Sequence, residues 1–533
     1  MNILVVTEKY HVTKIHNDGG ARVVKLLSSI PSVKLKIADF SVTDELNNGV
    51  THVYPIQNEC RFERRILNKE YISKTVEKYS QWSDVIIFVH CSMMFGIDKS
   101  KFPNASFVLL PMFTSKSYLQ SGESIPKSYI TEEKRILNLA DQIITPSNLE
   151  KELIINEGVS KSKVVVIARG VQKNLTHHTR KKVQEEGLNC VCLGSIKPQK
   201  NPVDTVRLFN KIAEQTPNSK LTFIGPIQCK STYDDLLNEI EVSKFSDSII
   251  IQPPISPEIL NEKLRQFDVH ISSSRCETFG RAIVETCVMG IPNIILRPFN
   301  AAAELLQHRI GAHVIENIDE FDEVKWLKDF SIETRSLSLI GLKDIFSEEI
   351  EKQRIISTIT GNYLTVVADF DGTIYHKNSP ELTTRWVQKI SEFDCVIICS
   401  ARDVFSLRSK AEEIGLRYDK IVSYSGAVVT TNHDNHELIS QMTKLPENCD
   451  EVYFNNNLIQ GKMRLKSNAK VGKYRIEEYS DGKYYLPWST TKLRGAVLAI
   501  SSNPEIGKVV SFGDNVHDLP FIRYFGGELV TSD

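Results

Sequence analysis

No run of apolar residues in this sequence approaches the ~20 that a membrane-spanning helix needs. The first ten residues, MNILVVTEKY, have neither the basic start, the long apolar core nor the small-residue cleavage site of a signal peptide. An excess of one charge is missing too. Lysine and arginine total 65 against 66 aspartates and glutamates, a net charge of -1, which argues against a general nucleic-acid binder. Cysteine is sparse, with ten in 533 residues and no spacing of a disulfide framework. Cys190 and Cys192 flank one valine inside an apolar run, the pattern of a buried strand and not of a zinc site. With 26 glycines and 20 prolines the chain is neither collagen-like nor low in complexity. These absences leave a reduced, cytoplasmic, multidomain enzyme. At ~150 residues per domain the length holds three or four domains.

What is present is a repeated short apolar run, loop and amphipathic stretch, the rhythm of βα units on parallel sheets. One series of expected strands covers Ile3–Thr7, Val85–His90, Phe107–Pro111, Gln142–Pro146 and Val164–Ala168. A second covers Cys190–Gly194, Lys220–Gly225, Ile249–Ile251 and Val269–Ser272. Lys173–Gly187, with His177, His178, Arg180, Lys181 and Lys182, reads as a solvated connection between these two halves. A third series covers Tyr363–Asp369, Cys395–Ser400, Lys420–Ser423 and Lys508–Gly513. The polar, Asn-rich stretch from Val429 to Thr491 breaks that series and reads as an inserted cap.

Three clusters in the first two series suit an anionic, hydroxylated ligand. Gly19 and Gly20 follow the first strand and precede a helical pattern, where backbone can approach a ligand and a helix start favours an anion. Gly194-Ser-Ile-Lys197-Pro-Gln-Lys200-Asn201 puts two lysines at a strand end, which suits a diphosphate. Glu277-Thr-Phe-Gly280 and Glu285 follow the strand ending at Ser272. Carboxylates there can accept hydrogen bonds from sugar and ribose hydroxyls, while Gly280 opens the helix start to a phosphate.

With Ala140-Asp-Gln-Ile-Ile-Thr-Pro-Ser147 and Met289-Gly290-Ile-Pro292, these residues resemble the retaining GT-B glycosyltransferases of the sucrose-phosphate-synthase group over residues 1 to about 355. The resemblance implies two Rossmann-like domains, an acceptor domain at 1–172 and a donor domain at 188–355. It implies that Glu277 contacts the donor sugar, Glu285 the nucleotide ribose and Lys200 the donor phosphates. Gly19 and Gly20 would line the crevice mouth, and transfer would need no metal. Two positions depart from the group. Ser195 stands where an arginine is usual, with Lys197 as a substitute point charge, and Phe113 stands where a histidine is frequent, with His90 ending a neighbouring strand.

In the third series, the apolar strand from Tyr363 ends in Asp369-Phe-Asp371-Gly-Thr373. Two carboxylates one residue apart point in different directions, so one can attack phosphorus while the other protonates the leaving oxygen. Ser400 ends an apolar run where a hydroxyl can hold a phosphoryl oxygen. Lys492, or its neighbour Arg494, can neutralise the transition state, and Asp514 and Asp518 add carboxylates at a last strand end. Oxygen ligands and a substrate phosphate call for Mg²⁺.

The ordered set resembles the haloacid dehalogenase phosphatases over residues 361–533, with a small α+β cap at about 430–490 that would choose the substrate. The resemblance implies Asp369 as nucleophile and Asp371 as acid/base. It implies a Mg²⁺ site from Asp369, Asp514 and the backbone carbonyl of Asp371, supported by Asp518. Ser400-Ala-Arg402 departs mildly from the usual Thr-Gly-Arg or Ser-Gly-Arg.

The fusion implies a transferase product that carries a phosphate. The expectation is glycosyl transfer from an activated donor to a sugar, sugar-phosphate or glycan acceptor, as in polysaccharide biosynthesis, followed by removal of the phosphate. A phosphoribosyl diphosphate donor is the second reading, and a non-catalytic GT-B-like module recruiting substrate for the phosphatase is the third. Arg61, Arg64, Arg65 and Lys69 beside Phe62, Ile66 and Leu67 offer a basic amphipathic helix, hence a peripheral contact with the inner membrane face through a lipid-linked acceptor. An ordinary solvated helix is the simpler expectation for it.

Overall fold

The computed structural model describes residues 1–8, 19–30, 33–41, 51–180, 187–296, 299–322, 325–326, 329–361, 363–432, 435–438, 450–463, 474–479, 482–502 and 506–530. Its first sheet has seven parallel strands. In spatial order they are Thr51–Val53, Lys34–Ser41, Asn2–Glu8, Val85–Val89, Ser106–Leu110, Gln142–Thr145 and Val164–Val166. The second has six parallel strands, in the order Ile249–Gln252, Lys220–Ile224, Asn189–Leu193, Val269–Ser272, Asn293–Leu296 and Ala312–Ile315. In both, strand order reverses beside the first strand, and that reversal opens a crevice at the carboxyl ends. The inner strands are apolar on both faces because helices cover each side; Val85–Val89 and Gln142–Thr145 are buried throughout.

The third sheet centres on Leu364–Asp369, flanked in parallel by Cys395–Cys399 and Lys508–Gly513, with Lys420–Ser423 beyond. The hairpin Val428–Asn432 and Asn435–Leu438, expected to open the cap, instead continues this sheet in antiparallel fashion. The cap that follows is a separate antiparallel sheet of Asp450–Phe454, Asn457–Met463, Gly482–Leu486 and Arg475–Tyr479. Its described residues hold strands and no helix.

The connection at 173–187 is packed rather than solvated along its described part. His177 Nε2 lies 3.0 Å from the Ser336 carbonyl, and buried Arg180 donates to the carbonyls of Leu264 and Arg265. Lys181 and Lys182 lie outside the described residues. Helix Glu348–Thr360 returns to the first sheet. Glu351 pairs with Arg169 at 3.0 Å and accepts the Gly170 N–H at 2.7 Å, while Arg354 donates to the Val166 carbonyl at 2.7 Å. Gly170 permits this approach, since a Cβ there would lie 2.4 Å from the Glu348 backbone.

The third domain is not tethered by a loose linker. One continuous apolar core runs from Phe279, Leu305 and Phe346 of the second domain to Leu493, Phe521 and Phe525 of the third. Polar contacts cross the same boundary. Arg494 binds Asp344 at 2.7 Å, Tyr524 Oη donates to the Ile345 carbonyl at 2.8 Å, and Arg309 donates to the Trp488 carbonyl. Lys151 of the first domain donates to the Gly526 carbonyl at 2.5 Å. No described helix is long and apolar enough to cross a membrane.

Candidate functional sites

The strand Leu364–Asp369 carries Asp369 to its carboxyl end, where the carboxylate is buried. Carboxylate oxygens of Asp369, Asp514 and Asp518 lie within 4.8 Å of one another. Lys492 opens the helix Lys492–Ser501 and reaches between two of them, 2.5 Å from Asp369 Oδ1 and 2.8 Å from Asp518 Oδ1. Burial holds the Asp369 carboxyl well above the usual carboxylate range. The Lys492 ammonium pulls against that shift, and Asp518 and Asp514 add to it. Gly372, at φ 84°, makes the turn possible: a Cβ there would sit 2.2 Å from Asp514 Oδ2. Thr373 Oγ1 donates to Asp514 Oδ1 at 2.9 Å, and Asp518 Oδ2 accepts the backbone N–H groups of Asp514 and Asn515 at 3.3 Å each.

Asp371 belongs to a different cluster. Its carboxylate takes a two-pronged contact from Arg402, at 2.7 and 2.8 Å, and the Ser400 hydroxyl at 3.3 Å. Its side chain is therefore outside the three-carboxylate group that includes Asp369. Ser400 is buried, and Arg402 was visible in the sequence only as a motif position. The sequence offered two cations for the helix start, and geometry separates them. Lys492 faces the carboxylates, while Arg494 turns away to Asp344 of the second domain. We expect Lys492→Ala to lower phosphate release by about 10²–10³-fold, the usual cost of removing a group that stabilises transition-state charge. Arg494→Ala should move the unfolding temperature more than the turnover number. Steady-state hydrolysis of a phosphomonoester with calorimetry of both variants checks this.

In the crevice of the second sheet, Lys200 and Glu277 form an ion pair from two adjacent strand ends. Glu277 is buried and held through its backbone, its N–H donating to the Phe299 carbonyl and its carbonyl accepting from Ala301 N–H. Half-buried Lys197 stands beside this pair; burial, and then the Lys200 ammonium, pull its pKa down to about 8. A cation so placed gains from an anionic neighbour. Gly280 caps the helix Arg281–Val288 at φ 76°, and a Cβ there would meet Ala302 Cβ at 2.8 Å.

Glu285 binds Arg22 of the helix Gly19–Ser28 at 2.8 Å, so the glycine-led helix of the first domain meets the second domain through a cation the sequence did not single out. Arg281, next to Gly280, is a second such cation; burial and Arg22 lower its pKa to about 10.

In the basic helix offered as a membrane contact, Arg61–Leu67, Phe62 and Arg65 are buried. Arg65 is buried and binds Glu8 at 2.6 Å, with His90 Nε2 3.3 Å away. Arg61 pairs with Glu123 and lies 4.9 Å from the Tyr118 ring centroid. His90, at φ 90°, sits 3.1 Å from the Tyr118 hydroxyl, and Phe113 packs on the same tyrosine at 4.5 Å between centroids. His90 and Phe113 thus share one patch of the first domain.

These two crevices define a GT-B α/β architecture followed by a HAD-like domain. Residues 175–328 match the family described as glycosyl transferases group 1, and residues 366–482 match the haloacid dehalogenase-like hydrolases. The chain therefore carries a group 1 glycosyl transferase domain and a HAD-like hydrolase domain. It is 25% identical over 186 residues to D-inositol 3-phosphate glycosyltransferase of Acidothermus cellulolyticus, covering 32% of this chain and 42% of that one. The chain spans about two fifths of the length of the curated relatives it matches.

Among solved structures, it is similar to sucrose-phosphate synthase from Thermosynechococcus elongatus, with 13% identity and a TM-score of 0.52 over 66% of this chain and 96% of that chain. HepE of Anabaena in complex with UDP gives 14% identity and a TM-score of 0.53 over 68% and 100%. At such identities the likeness is one of fold.

Proposed function

We propose that this chain transfers a glycosyl group to make a phosphorylated glycoside and then removes the phosphate. The observation that carries the reading is the coexistence of two separate charged centres on one chain. One is the Lys200–Glu277 pair with Lys197 in the donor crevice; the other is the Asp369–Lys492–Asp518 group in the third domain. The names of two similar proteins, a sucrose-phosphate synthase and an inositol 3-phosphate glycosyltransferase, carry phosphorylated sugars and cyclitols, which supports a phosphorylated intermediate.

In the transferase, Lys197 and Lys200 would hold the donor diphosphate, Gly280 would admit it to the helix start, and Glu277 would orient the donor sugar. Glu285 would accept ribose hydroxyls, with Arg22 fixing its position. Gly19 and Gly20, at the start of the helix that bears Arg22, would line the mouth of the crevice. The patch of Arg61, Arg65, His90 and Tyr118 would face the acceptor.

In the phosphatase, Asp369 would be the nucleophile, forming a bond to phosphorus as the bond to the leaving oxygen breaks. Asp371, in its protonated form, would deliver the proton to that oxygen; its carboxylate, held by Arg402 and Ser400, would then take a proton from the water that attacks phosphorus and frees both phosphate and Asp369. Lys492 would offset the charge of the transferring group. The all-oxygen set of Asp369, Asp514 and Asp518 fits Mg²⁺, a hard cation, and Gly372 keeps the space around Asp514 free of a Cβ. When bound, Mg²⁺ supplies charge neutralisation for the phosphoryl oxygens.

Donor class is tested by thermal unfolding with UDP, GDP, ADP, CDP, pyrophosphate and phosphoribosyl diphosphate, each with and without Mg²⁺. A ligand at ~100 times its dissociation constant adds about 2.7 kcal/mol. Stabilisation by one nucleoside diphosphate is the expected result, supported by the UDP complex of HepE. Stabilisation by phosphoribosyl diphosphate alone would replace it with phosphoribosyl transfer, a reading favoured by Ser195 and Phe113. No stabilisation by any of them would contradict a transferase active on these donors.

A further inference from the structure

A cavity of about 220 Å³ lies where three parts of the chain meet. The phosphatase core contributes Lys492 and the loop bearing Val516 and His517, the cap contributes Arg475 and Glu477, and the transferase contributes Leu305, His308 and Arg309. Its position ties it to the phosphatase centre. Lys492 lines the cavity while its ammonium holds Asp369 and Asp518, and His517 directly precedes Asp518.

We infer that this cavity is the leaving-group subsite of the phosphatase, with one wall supplied by the transferase domain, and that it takes a single sugar ring bearing the scissile phosphate. The inference rests on the phosphatase reading above and adds to it where the substrate's carbon skeleton sits and which domain selects it.

Size, chemistry and rigidity support it. Drug-sized ligands occupy roughly 300–1,000 Å³, so a space this small suits one ring. The lining combines apolar surface from Leu305, Leu342 and Phe346 with a few polar groups, the mix that orients a small hydroxylated ligand. His308 stays neutral, its pKa lowered to about 4 by burial and then by Arg523, His517, Arg475 and Arg309. A neutral imidazole both donates and accepts, as a sugar hydroxyl requires.

The cap wall is locked in place. Glu477 accepts from Ser425 Oγ at 2.5 Å, and Arg475 binds Glu477 and the Thr490 carbonyl. The transferase wall is equally fixed, because Arg309 donates to the Ser338 carbonyl at 3.0 Å and to the Trp488 carbonyl on the phosphatase side. Arg494–Asp344 and Tyr524–Ile345 hold the same junction. The cavity is therefore part of the folded junction, and the cap alone does not enclose it.

The test uses the full chain with Mg²⁺ and compares hydrolysis of acetyl phosphate, which has no ring, with glucose 6-phosphate, fructose 6-phosphate and ribose 5-phosphate. Leu305→Trp fills the cavity from the transferase side, and His308→Ala removes its neutral imidazole. Both are accepted only with an unfolding midpoint close to wild type, so that a folding defect is not read as selectivity. If one variant unfolds, the other decides.

The expected result is a fall of about tenfold or more in the ratio of kcat/KM for the preferred sugar phosphate to that for acetyl phosphate. An unchanged ratio in the folded variants overturns the subsite while leaving the phosphatase reading intact. Failure of the wild-type chain to hydrolyse any of the four overturns both.

Discussion

Asp369→Asn should reduce phosphate release from a sugar phosphate by about 10⁴-fold or more, because an amide cannot replace the attacking carboxylate and the groups of such a centre act as a unit. The same substitution should raise thermal stability in metal-free buffer. Two of the three carboxylates share one lysine, and burial holds the Asp369 carboxyl well above its ordinary range. For an acid whose folded pKa lies above its unfolded value of ~3.9, the folded state binds more protons in the window between the two. Its unfavourable contribution therefore grows as pH rises through that window and is complete above the folded pKa. Asparagine removes it. Wild type and variant should converge in unfolding temperature below about pH 4 and separate at neutral pH, with the variant higher. A variant equally inactive but destabilised at neutral pH would mean that the Lys492–Asp369 pair is needed for folding more than for chemistry.

Glu277→Gln should lower transfer by about 10²–10³-fold and leave phosphate release from a free sugar phosphate intact. Gln keeps the size and a hydrogen-bonding carbonyl but gives up the charge that pairs with Lys200. The two cations of the crevice, Lys200 and Lys197, then lose their nearest carboxylate. Donor diphosphate binding should consequently change less than turnover, since the freed lysines still attract the anion. A sugar-donor assay by product mass, with nucleotide affinity measured separately, distinguishes the effects. Loss of affinity with unchanged turnover would reassign Glu277 to donor binding alone. Unchanged transfer, joined to altered phosphatase selectivity, would favour the reading of the first two domains as a recruiting module.

The central strands of all three sheets were legible because strands buried on both faces read as unbroken apolar runs. Leu364–Asp369 and Val85–Val89 are of that kind, and Asn189–Leu193 is buried at Cys190 and Val191. Thr51–Val53 was missed because it is a three-residue edge strand, and Lys34–Ser41 because it pairs with that edge only over Asp39–Ser41, so that half of Lys34–Ser41 alternates between exposed and partly covered positions. Asn293–Leu296 and Ala312–Ile315 were missed as well; Ala312–Ile315 is the edge strand of the second sheet and only its two end residues are buried.

Asp369, Asp514, Lys200 and Glu277, which the sequence singled out from their own loops, lie at or shortly after strand ends. Residues whose roles depend on a distant partner were not singled out. Arg22 meets Glu285 across 263 positions and Arg402 reaches back 31 positions to Asp371, and neither pairing leaves a local pattern. The helix at Arg61–Leu67 shows the converse, since a basic amphipathic pattern looks the same whether its charges face lipid or, as here, Glu8 and Glu123.

The most direct test incubates the full chain with its stabilising donor, Mg²⁺ and a sugar-phosphate acceptor, and follows the products by mass for wild type and for Asp369→Asn side by side. The account predicts an unphosphorylated glycoside with free phosphate from the wild type, and a phosphorylated glycoside accumulating in the variant. The same unphosphorylated glycoside from both proteins would contradict it, because the two centres would then not act in sequence on one substrate.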